Sequence, residues 1–495
     1  MVNATQSRVD WLKSLQSELE SRSAEFQKAV FLRWNDLMIP DRTSFDATYF
    51  LNQTALAALF INEGPIEFDA DQKAFFKYDA NTGVWRSIAD AEVRLDLLSF
   101  LVPFVWKYPG YVKTDKRLLD SLIQSAEALA FRVAPNRSRC VLHVANGMLH
   151  IDGKGKNHQL HPFSTAYSSR NRVPVDFDKS KTYPPKFVAF LESAMTDEDI
   201  ELLQNWCGMA LLGENPFHKI LLLSGEAGTG KSQLVDLIEA IIGPENVGTL
   251  VADRLEDRFE LSGFLGKTLL VGKDVKETFL RSKAVHIVKS LSGDRGIKVE
   301  LKHSNRRATL EGPFNILISS NADLLVQLQG DAGAWARRLL IIPFDRKAML
   351  DARERESPRI ISDYGQQLFK EEGAAILNWM LKGAWRINQA KLKHEPFPLQ
   401  PTQEQRTRDL LAASDPIKKF IDLNLEVSPG GKLSTVEIFE RYLDFCDDKV
   451  IDALDSTTFA RRIKRPMFEC LKSKHGGILD AEGKRARGYR DVKFK

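Results

Sequence analysis

The sequence predicts an α/β fold, and three features of the chain support this prediction. A short apolar strand at residues 221–223 is followed by a glycine-rich loop and then by an amphipathic helix that ends before Gly243. Further short apolar strands lie downstream with helical segments between them, which is typical of a parallel sheet covered by helices. Alternating strand patterns upstream and capped helices downstream predict an α+β N-terminal domain and a mainly helical C-terminal domain.

The first segment, residues 1–65, is expected to be helical. Apolar side chains recur there at three- and four-residue spacing, at Val9, Leu12, Leu15 and Leu19. Such a segment either packs on its own domain or serves as an arm for oligomerisation.

The α+β domain is expected at residues 66–195. Two apolar segments, residues 75–78 and 84–86, enclose a turn and predict a hairpin. A second hairpin is expected around Asn146-Gly147, because this dipeptide favours a tight two-residue turn.

The same domain contains four histidines and a cysteine close together in sequence. Their spacings match no known pattern of metal ligands, so a metal site is not favoured. These residues are Cys140, His143, His150, His158 and His161.

The expected core domain, residues 196–390, contains the clearest chemical signature. Eight residues between the strand and the helix fit the pattern G-x-x-x-x-G-K-S of a phosphate-binding loop, in the strand–loop–helix context that this motif requires. Backbone N–H groups and the helix amino terminus would hold phosphates of ATP, Lys231 would reach the outer phosphates, and Ser232 would ligate Mg²⁺. A chance match in a glycine-rich turn is the alternative. The eight residues are Gly225, Glu226, Ala227, Gly228, Thr229, Gly230, Lys231 and Ser232.

Polar residues beside later strands complete a candidate ATPase site. Asp274 follows the apolar strand at residues 268–272 and could hold Mg²⁺ through water. Asn321 ends the next buried strand, where an amide can orient the attacking water. Arg337 and Arg338 precede another apolar strand, and an arginine there could reach the terminal phosphate of a neighbouring subunit. Each feature is common alone, so their joint order is what indicates catalysis.

A basic hairpin is expected between the Asp274 and Asn321 strands. Residues 297–310 alternate on both sides of a Ser-Asn turn, and the tip carries Lys302 and His303 with Arg306 beside it. A tip dense in positive charge suits the phosphate backbone of DNA. The alternative is a solvated basic loop.

In order and spacing, these motifs resemble those of superfamily 3 helicases, and more closely the poxvirus-type and phage-, satellite- or plasmid-type primase-helicases. The resemblance covers roughly residues 70–495 and includes residues 146–149, which are similar to the N-G-V-L of that family's N-terminal domain. It implies an AAA+ core that binds ATP and Mg²⁺ between the subunits of a hexameric ring. It also implies that Lys302 and His303 of each subunit grip DNA in the central channel.

A linker is expected at residues 391–412, because three prolines lie there, and a separate domain at residues 413–495. Caps at Asp415, Ser434 and Asp455 predict three helices, and a basic ribbon follows them. This order resembles a winged helix, which the related helicases also carry at this place.

The end of the chain is strongly basic, with twelve Lys and Arg against four Asp and Glu over residues 461–495. This charge favours contact with nucleic acid, and a charged tail that maintains solubility is the alternative. Tyr489 is expected to be available for stacking. The predicted DNA-binding residues here are Arg461, Arg462, Lys464, Arg485 and Arg487.

Composition indicates a protein of a reducing compartment. The 495-residue chain has a formal net charge of only +4, so any nucleic-acid surface must be local. The four cysteines are far apart, which disfavours a disulfide framework and a zinc ribbon. We expect no secretory signal, no membrane association and a cytoplasmic location in a bacterium or in the host cell of a virus, because the most apolar run, residues 95–106, is too short to span a bilayer and predicts a buried helix.

The function predicted from the sequence is that of an ATP-dependent DNA helicase in the replication of a virus, phage, satellite or plasmid. Its expected partners are single-stranded and forked DNA and further copies of the chain. A separately encoded primase or polymerase is also expected, because residues 1–70 leave no room for a primase domain.

One departure from the family leaves alternatives open. Related helicases end the second strand with two adjacent acids, whereas Asp274 stands between Lys273 and Val275, and Glu277 is the nearest other acid. The water-activating base is therefore not assigned. An initiator that uses ATP mainly to assemble at an origin, or an AAA+ switch outside replication, would fit weak hydrolysis.

Overall fold

The computed structural model divides the chain into two compact units. Unit 1 contains Met1–Asp178 and Lys298–Leu310, and unit 2 contains Lys179–Ile297 and Glu311–Lys495. This division falls earlier than the boundary expected after residue 195. The structure describes residues 38–40, 49–70, 72–107, 115–132, 141–151, 158–167, 169–251, 254–257, 259–277, 279–281, 285–293, 296–300, 307–310, 312–321, 324, 326, 332–344, 363–448, 453–479 and 483–495.

Unit 1, as far as it is described, consists of small sheets and helices. The strands form sheets in the orders β1-β2, β5-β4-β3-β6 and β7-β8-β9. The elements up to residue 161 are β1 (Met38–Pro40), β2 (Tyr49–Leu51), α1 (Gln53–Glu63), β3 (Ile66–Asp69), β4 (Ala74–Asp79), β5 (Val84–Ile88), α2 (Asp90–Lys107), α3 (Lys116–Leu129), β6 (Phe131–Arg132), β7 (Val141–Val144), β8 (Gly147–His150) and β9 (Gln159–His161).

The N-terminal segment is not wholly helical, so the prediction for residues 1–65 is wrong in part. Helix α1 is present, but β1 and β2 form an antiparallel pair before it. Large apolar and aromatic residues, Ile39 in one strand and Tyr49-Phe50 in the other, favour strands over helix. The helical pattern that begins at Val9 lies outside the described residues.

Both hairpins expected in unit 1 are present. Strands β4 and β5 pair antiparallel, and the N–H groups of Thr82 and Gly83 close the turn by donating to the carbonyl of Asp79. Strands β7 and β8 pair across a two-residue turn at Ala145 and Asn146, and Gly147, with a φ of 154°, is the first residue of β8.

The apolar run at residues 95–106 lies within helix α2, as expected. Val93, Leu97 and Leu101 of this helix are buried in a core that they share with residues of α1, α3 and β4. Among the described residues, no helix has the length and apolar character that crossing a membrane requires.

Two of the clustered histidines, His150 and His161, contact each other through their rings. The rings of His150 and His161 are 4.3 Å apart, and the Nε2 atom of His150 lies 2.7 Å from the hydroxyl of Tyr167. Within the described ranges, no three His, Cys, Asp or Glu residues are placed to hold a metal ion, and Cys140 lies outside those ranges.

His143 makes the stability of unit 1 sensitive to acid. Its Nε2 atom lies 2.8 Å from the carbonyl of Thr82, and burial lowers its pKa to about 4. From about pH 6.5 downward the unfolded chain binds a proton that the folded chain excludes, so stability falls as the pH drops towards 4. Between pH 7 and pH 5 we expect the wild type to lose about 2 kcal/mol more than His143→Phe in chemical unfolding. Equal losses in the two proteins would contradict this account.

The middle of the chain folds around a parallel sheet. Strands β13 and β14 form a separate two-stranded sheet, as expected for the basic hairpin, and its tip at residues 301–306 lies outside the described residues. The elements are α4 (Pro185–Ala194), α5 (Asp197–Leu211), β10 (Ile220–Ser224), α6 (Lys231–Ile242), β11 (Val247–Thr249), β12 (Leu269–Gly272), α7 (Val285–Gly293), β13 (Ile297–Glu300), β14 (Arg307–Leu310), β15 (Asn315–Ser320), α8 (Ala332–Arg338), β16 (Leu339–Pro343), α9 (Tyr364–Leu392) and α10 (Pro401–Ala413).

The large sheet has the strand order β11-β12-β15-β10-β16, and every neighbouring pair is parallel. Its strands are almost continuously apolar because both faces are buried, as Ile316, Leu317 and Ile318 of β15 illustrate. In parallel strands all carboxyl ends meet at one edge. The loop after β10 and the residues after β12 and β15 are therefore brought to the same edge of the sheet.

The segment expected as a linker, residues 391–412, contains the end of α9 and most of helix α10. Pro401 occupies the first turn of α10, and Gln400 and Gln403 form a capping box at its start. The guanidinium of Arg406 then donates to the buried carboxylate of Asp199 in α5 at 2.6 Å. The prolines thus mark the start of a helix that is attached to the core domain.

The C-terminal region forms a small α/β module. The sheet order is β17-β19-β18, and both pairs are antiparallel. The helix expected at residues 459–465 is divided at the buried residue Ile463 into two short helices. The elements are α11 (Pro416–Asn424), β17 (Leu425–Ser434), α12 (Thr435–Asp448), α13 (Ser456–Arg462), α14 (Lys464–Leu471), β18 (His475–Leu479) and β19 (Arg485–Phe494).

Candidate nucleotide-binding site and basic surfaces

The glycine-rich loop lies between β10 and α6, as the motif requires. Gly228 and Gly230 have φ angles of 81° and 97°, a region that glycine adopts without strain. A Cβ on Gly225 would lie 2.6 Å from the carbonyl oxygen of Phe344, so the backbone passes close to the residue that follows β16. The loop therefore has the conformation that only glycine supplies at these positions.

Lys231 is directed into the loop. It is 3% exposed, and its ammonium group donates to the carbonyls of Gly225 and Glu226, both at 2.8 Å. Burial lowers the pKa of Lys231, while the negative charge of Asp274 acts in the opposite direction. The structure therefore brings the Lys231 ammonium and the Asp274 carboxylate into the same site.

Asp274 and Asn321 lie together at the ends of β12 and β15. The amide of Asn321 is 3.5 Å from the Oδ1 atom of Asp274, and both residues are exposed. Asp274 has a φ of 46°, and its backbone N–H donates to the hydroxyl of Ser319. The neighbouring N–H of Val275 donates to the carbonyl of Ser319 at 2.9 Å. The loop that carries Asp274 is thus attached to β15.

Lys273 is a residue of this site that sequence reasoning did not assign. Its ammonium group donates to Asp236 and Glu239 of α6, at 2.8 Å and 2.6 Å. Burial alone would lower the pKa of Lys273, but the two carboxylates outweigh that effect and raise it. Lys273 therefore connects the end of β12 to the helix that follows the phosphate loop. A basic residue close in sequence to Asp274 was the only available signal.

The two arginines in the last turn of helix α8 differ in their surroundings. The guanidinium of Arg338 donates to the hydroxyl of Ser292 at 3.3 Å and to the carbonyl of Ala334 at 3.1 Å. The side chain of Arg337 is exposed. Arg337 is consequently the better placed of the two to reach another molecule.

Neither arginine is brought to the phosphate loop of its own chain. Leu339, which follows Arg338, pairs with Ile220 at the start of β10, whereas the loop follows Ser224 at the other end of that strand. Five residues of strand separate the two ends by about 16 Å. This is more than an arginine side chain can span.

Lys219 donates a hydrogen bond to the carbonyl of Arg337, and the sequence analysis did not identify it as a residue of the site. It is 7% exposed, and its ammonium group donates to that carbonyl at 2.7 Å. Burial lowers the pKa of Lys219 to about 8, and Glu404 partly opposes the shift. A lysine directly before an apolar strand is usually exposed, so the sequence pattern did not indicate that Lys219 is buried.

An aromatic residue packs against the phosphate loop from helix α4. A Cβ on Gly230 would lie 3.0 Å from the ring of Phe190, and that ring also contacts the ring of Tyr364 at 5.7 Å between centroids. Glu372 of α9 accepts hydrogen bonds from the N–H groups of Lys186 and Phe187 at the start of α4. The contact between Phe190 and the loop is therefore held through α9.

The residues of the loop fit a nucleotide phosphate with Mg²⁺. The hydroxyl-bearing Ser232 and the carboxylate-bearing Asp274 are both exposed, and oxygen atoms are the ligands that Mg²⁺ prefers. Lys231 supplies a positive charge within the loop, beside the carbonyls of Gly225 and Glu226. These groups form a set of donors suited to a phosphate and a hard cation.

The predicted DNA-binding residues fall into two groups. Lys302, His303 and Arg306 lie outside the described residues. Among those of the C-terminal module, Arg462 is partly buried and lies 3.7 Å from Asp415. The fully solvent-facing ones are Arg461, Lys464, Arg485 and Arg487.

Tyr489 is buried, so the stacking role expected for it is wrong. Its exposure is 0%, because in β19 its side chain faces the core that contains Tyr442 and Phe459. Along β19, Arg487 is exposed whereas the neighbouring Gly488 and Tyr489 are both buried, so burial in this strand does not simply alternate. Pairing to β17 and β18 sets the register of the strand. The run of basic residues around Tyr489 in the sequence did not indicate which side chains of the strand face the core.

Residues 223–338 match the model of a family of unknown function, DUF5906. The matched segment contains the phosphate loop, Asp274, Asn321, Arg337 and Arg338. Among solved structures, the A form apo structure of the NrS-1 C-terminal region is 14% identical, with 88% of this chain and 98% of that chain covered and a TM-score of 0.48. The apo structure of NrS-1 residues 305–718 is 13% identical, with 89% and 99% covered and a TM-score of 0.49.

Proposed function

We propose that this protein is an ATP-dependent DNA helicase of the AAA+ type, with active sites formed between the subunits of a ring. The observation that carries the proposal is the position of Arg337. It is exposed at one end of the sheet, while Lys231 and Asp274 lie at the other end. A ring in which each subunit offers Arg337 to the loop of the next subunit would use both ends of the sheet.

ATP and Mg²⁺ are proposed to occupy the edge of the sheet where Lys231, Asp274 and Asn321 meet. Bound Mg²⁺ would neutralise charge that develops on the transferred phosphoryl group. Lys231 would exchange its hydrogen bonds to the loop carbonyls for contacts with the phosphates. The amide of Asn321 would hold the attacking water, and Ser232 and Asp274 would hold the cation directly and through water.

DNA is proposed to bind both the β13–β14 hairpin and the C-terminal module. The order helix, strand, three helices, hairpin in that module supports a winged helix, in which helices and a β-ribbon contact nucleic acid together. Arg461, Lys464, Arg485 and Arg487 are exposed there. A replication role in a virus, phage, satellite or plasmid follows from the resemblance to superfamily 3 helicases.

Unwinding of a forked duplex with ATP tests the proposal through Lys302. We expect Lys302→Ala to keep ATP hydrolysis within about twofold and to lower unwinding at least tenfold, because the tip would grip the translocated strand. Lys298→Ala is the matched control, since Lys298 is an exposed lysine on β13 of the same hairpin. Unwinding that is unchanged in Lys302→Ala would reject the hairpin as the moving element.

The second candidate function is an initiator that uses ATP to assemble and hydrolyses it little. It is favoured by one observation: the residue before Asp274 is a lysine bound to Asp236 and Glu239, not a second acid. Phosphate release and ring formation should be measured on the same sample. ATP-dependent rings without DNA-stimulated phosphate release would favour the initiator over the helicase.

A further inference from the structure

An exposed aromatic ring lies on the basic surface of the C-terminal module. Phe468 of α14 is 46% exposed, and it does not belong to the buried core of the module. The ammonium groups of Lys472 and Lys474 each lie 5.8 Å from the centre of its ring. At this distance the positive charges are attracted to the face of the ring.

The end of α14 holds these two lysines in place. Lys472 has a φ of 55°, and its N–H donates to the carbonyls of Met467 and Phe468, which closes the helix. Ser473, between the two lysines, is buried, and its hydroxyl donates to the carbonyl of Arg490 at 2.7 Å. The helix end and the hydrogen bond to β19 therefore fix the backbone that carries the two lysines beside the ring.

The charge around Phe468 is positive and only partly neutralised. Residues 461–474 contain six Lys and Arg against one Glu. Arg462 lies near Asp415, and Arg465 pairs with Glu469. Lys464 precedes Phe468 by four residues, so the two side chains lie on the same face of α14. This face combines an aromatic ring with exposed cations.

A further cation, Arg487 of the β18–β19 ribbon, lies near the start of β18. His475, the first residue of β18, has a lowered pKa, first because of burial and then because of the positive charges of Lys464 and Arg487. Both charges therefore act near His475, and Arg487 of β19 lies opposite Gly477 of β18, two residues after His475. A polyanion is the partner that such a surface attracts.

We propose that Phe468, flanked by Lys472 and Lys474, stacks on an unpaired base of single-stranded DNA whose phosphates contact Lys464 and the two flanking lysines. An exposed ring offers a face to any base, but only a base outside a duplex has a free face to offer in return. This inference deepens the proposed function, and it rests on the DNA binding that the proposed function includes. It assigns to Phe468 the stacking role that was expected of Tyr489.

Binding of the full-length protein to two oligonucleotides tests the inference. One is a thymidine strand, and the other is an abasic strand with the same length and phosphate charge. By fluorescence anisotropy, we expect Phe468→Ala and Phe468→Leu to weaken binding of the thymidine strand roughly five- to a hundredfold and to change binding of the abasic strand less than about twofold. Phe468→Leu keeps an apolar side chain but has no aromatic ring. Loss of binding in this variant therefore reports stacking rather than burial of apolar surface.

Two controls accompany these variants. Leu443→Ala removes another exposed apolar side chain of the module, with 37% exposure on α12, and should change binding of neither strand. The double variant Lys472→Met with Lys474→Met should weaken binding of both strands. It should also reduce the slope of log Kd against log salt concentration by about 0.7 per lysine.

The outcomes separate the inference from the function on which it rests. Unchanged binding of the thymidine strand by Phe468→Ala would overturn the inference, and so would equal weakening on the two strands. If Phe468→Ala instead abolished self-association with DNA binding intact, the ring would be a protein contact and the inference would be wrong. A wild type that binds neither strand at low salt would overturn the DNA-binding part of the proposed function as well.

Discussion

Lys231→Ala is expected to lower ATP hydrolysis at least a hundredfold, with and without DNA. The ammonium group lies inside the phosphate loop, and its removal takes away the positive charge that would stabilise the outer phosphates in the transition state. Loss of one well-placed electrostatic donor costs on the order of a hundred- to a thousandfold in rate. Steady-state phosphate release is the measurement.

The control for this prediction is a lysine of the same unit outside the loop. Lys370→Ala, at an exposed position of α9, should leave the hydrolysis rate within about twofold of the wild type. Circular dichroism and thermal unfolding show whether Lys231→Ala remains folded. DNA-stimulated hydrolysis in a folded Lys231→Ala protein would contradict the assignment of the site.

Arg337→Ala is expected to lower hydrolysis roughly a thousandfold while nucleotide binding is retained. An arginine supplied from a neighbouring subunit stabilises transition-state charge and contributes on the order of a thousandfold or more to the rate. Because Arg337 is far from the loop of its own chain, binding of an ATP analogue by an isolated subunit should not change. Rates and analogue affinities are measured on the same preparations.

Arg338 supplies the matched control for Arg337. Its guanidinium donates to Ser292 and Ala334 within the chain, so Arg338→Ala should act mainly on stability, by about 1–2 kcal/mol. The hydrolysis rate per folded subunit should change far less than in Arg337→Ala. A larger catalytic loss in Arg338→Ala would exchange the roles of the two arginines.

The parts of the site that could be predicted from the sequence are those where a residue's position in the chain determines its place in the fold. A loop after one strand and polar residues after two others meet because parallel strands end at one edge, and the structure brings Lys231, Asp274 and Asn321 together there. The turn that ends at Gly83 and the turn just before Gly147 could be predicted because the positive φ of each glycine disfavours other residues.

The remaining features depend on contacts between distant residues, which a local pattern does not contain. Lys219 donates to the carbonyl of Arg337, and Lys273 donates to the carboxylates of Asp236 and Glu239. All three partners lie more than thirty residues away in the sequence. The difference in exposure between Tyr489 and Phe468 has the same origin. Both are aromatic residues in a basic segment, and only the packing of β19 and α14 in the folded module shows that Tyr489 is buried and Phe468 is exposed.

The central claim is that ATP is hydrolysed between subunits, and mixing two inactive variants tests it most directly. Lys231→Ala retains Arg337, and Arg337→Ala retains Lys231, so a mixed ring contains some interfaces with both residues intact. With random mixing, about a quarter of the interfaces should be complete, and DNA-stimulated hydrolysis should reappear in the mixture. A mixture that forms mixed rings yet stays as inactive as its two components would contradict the claim.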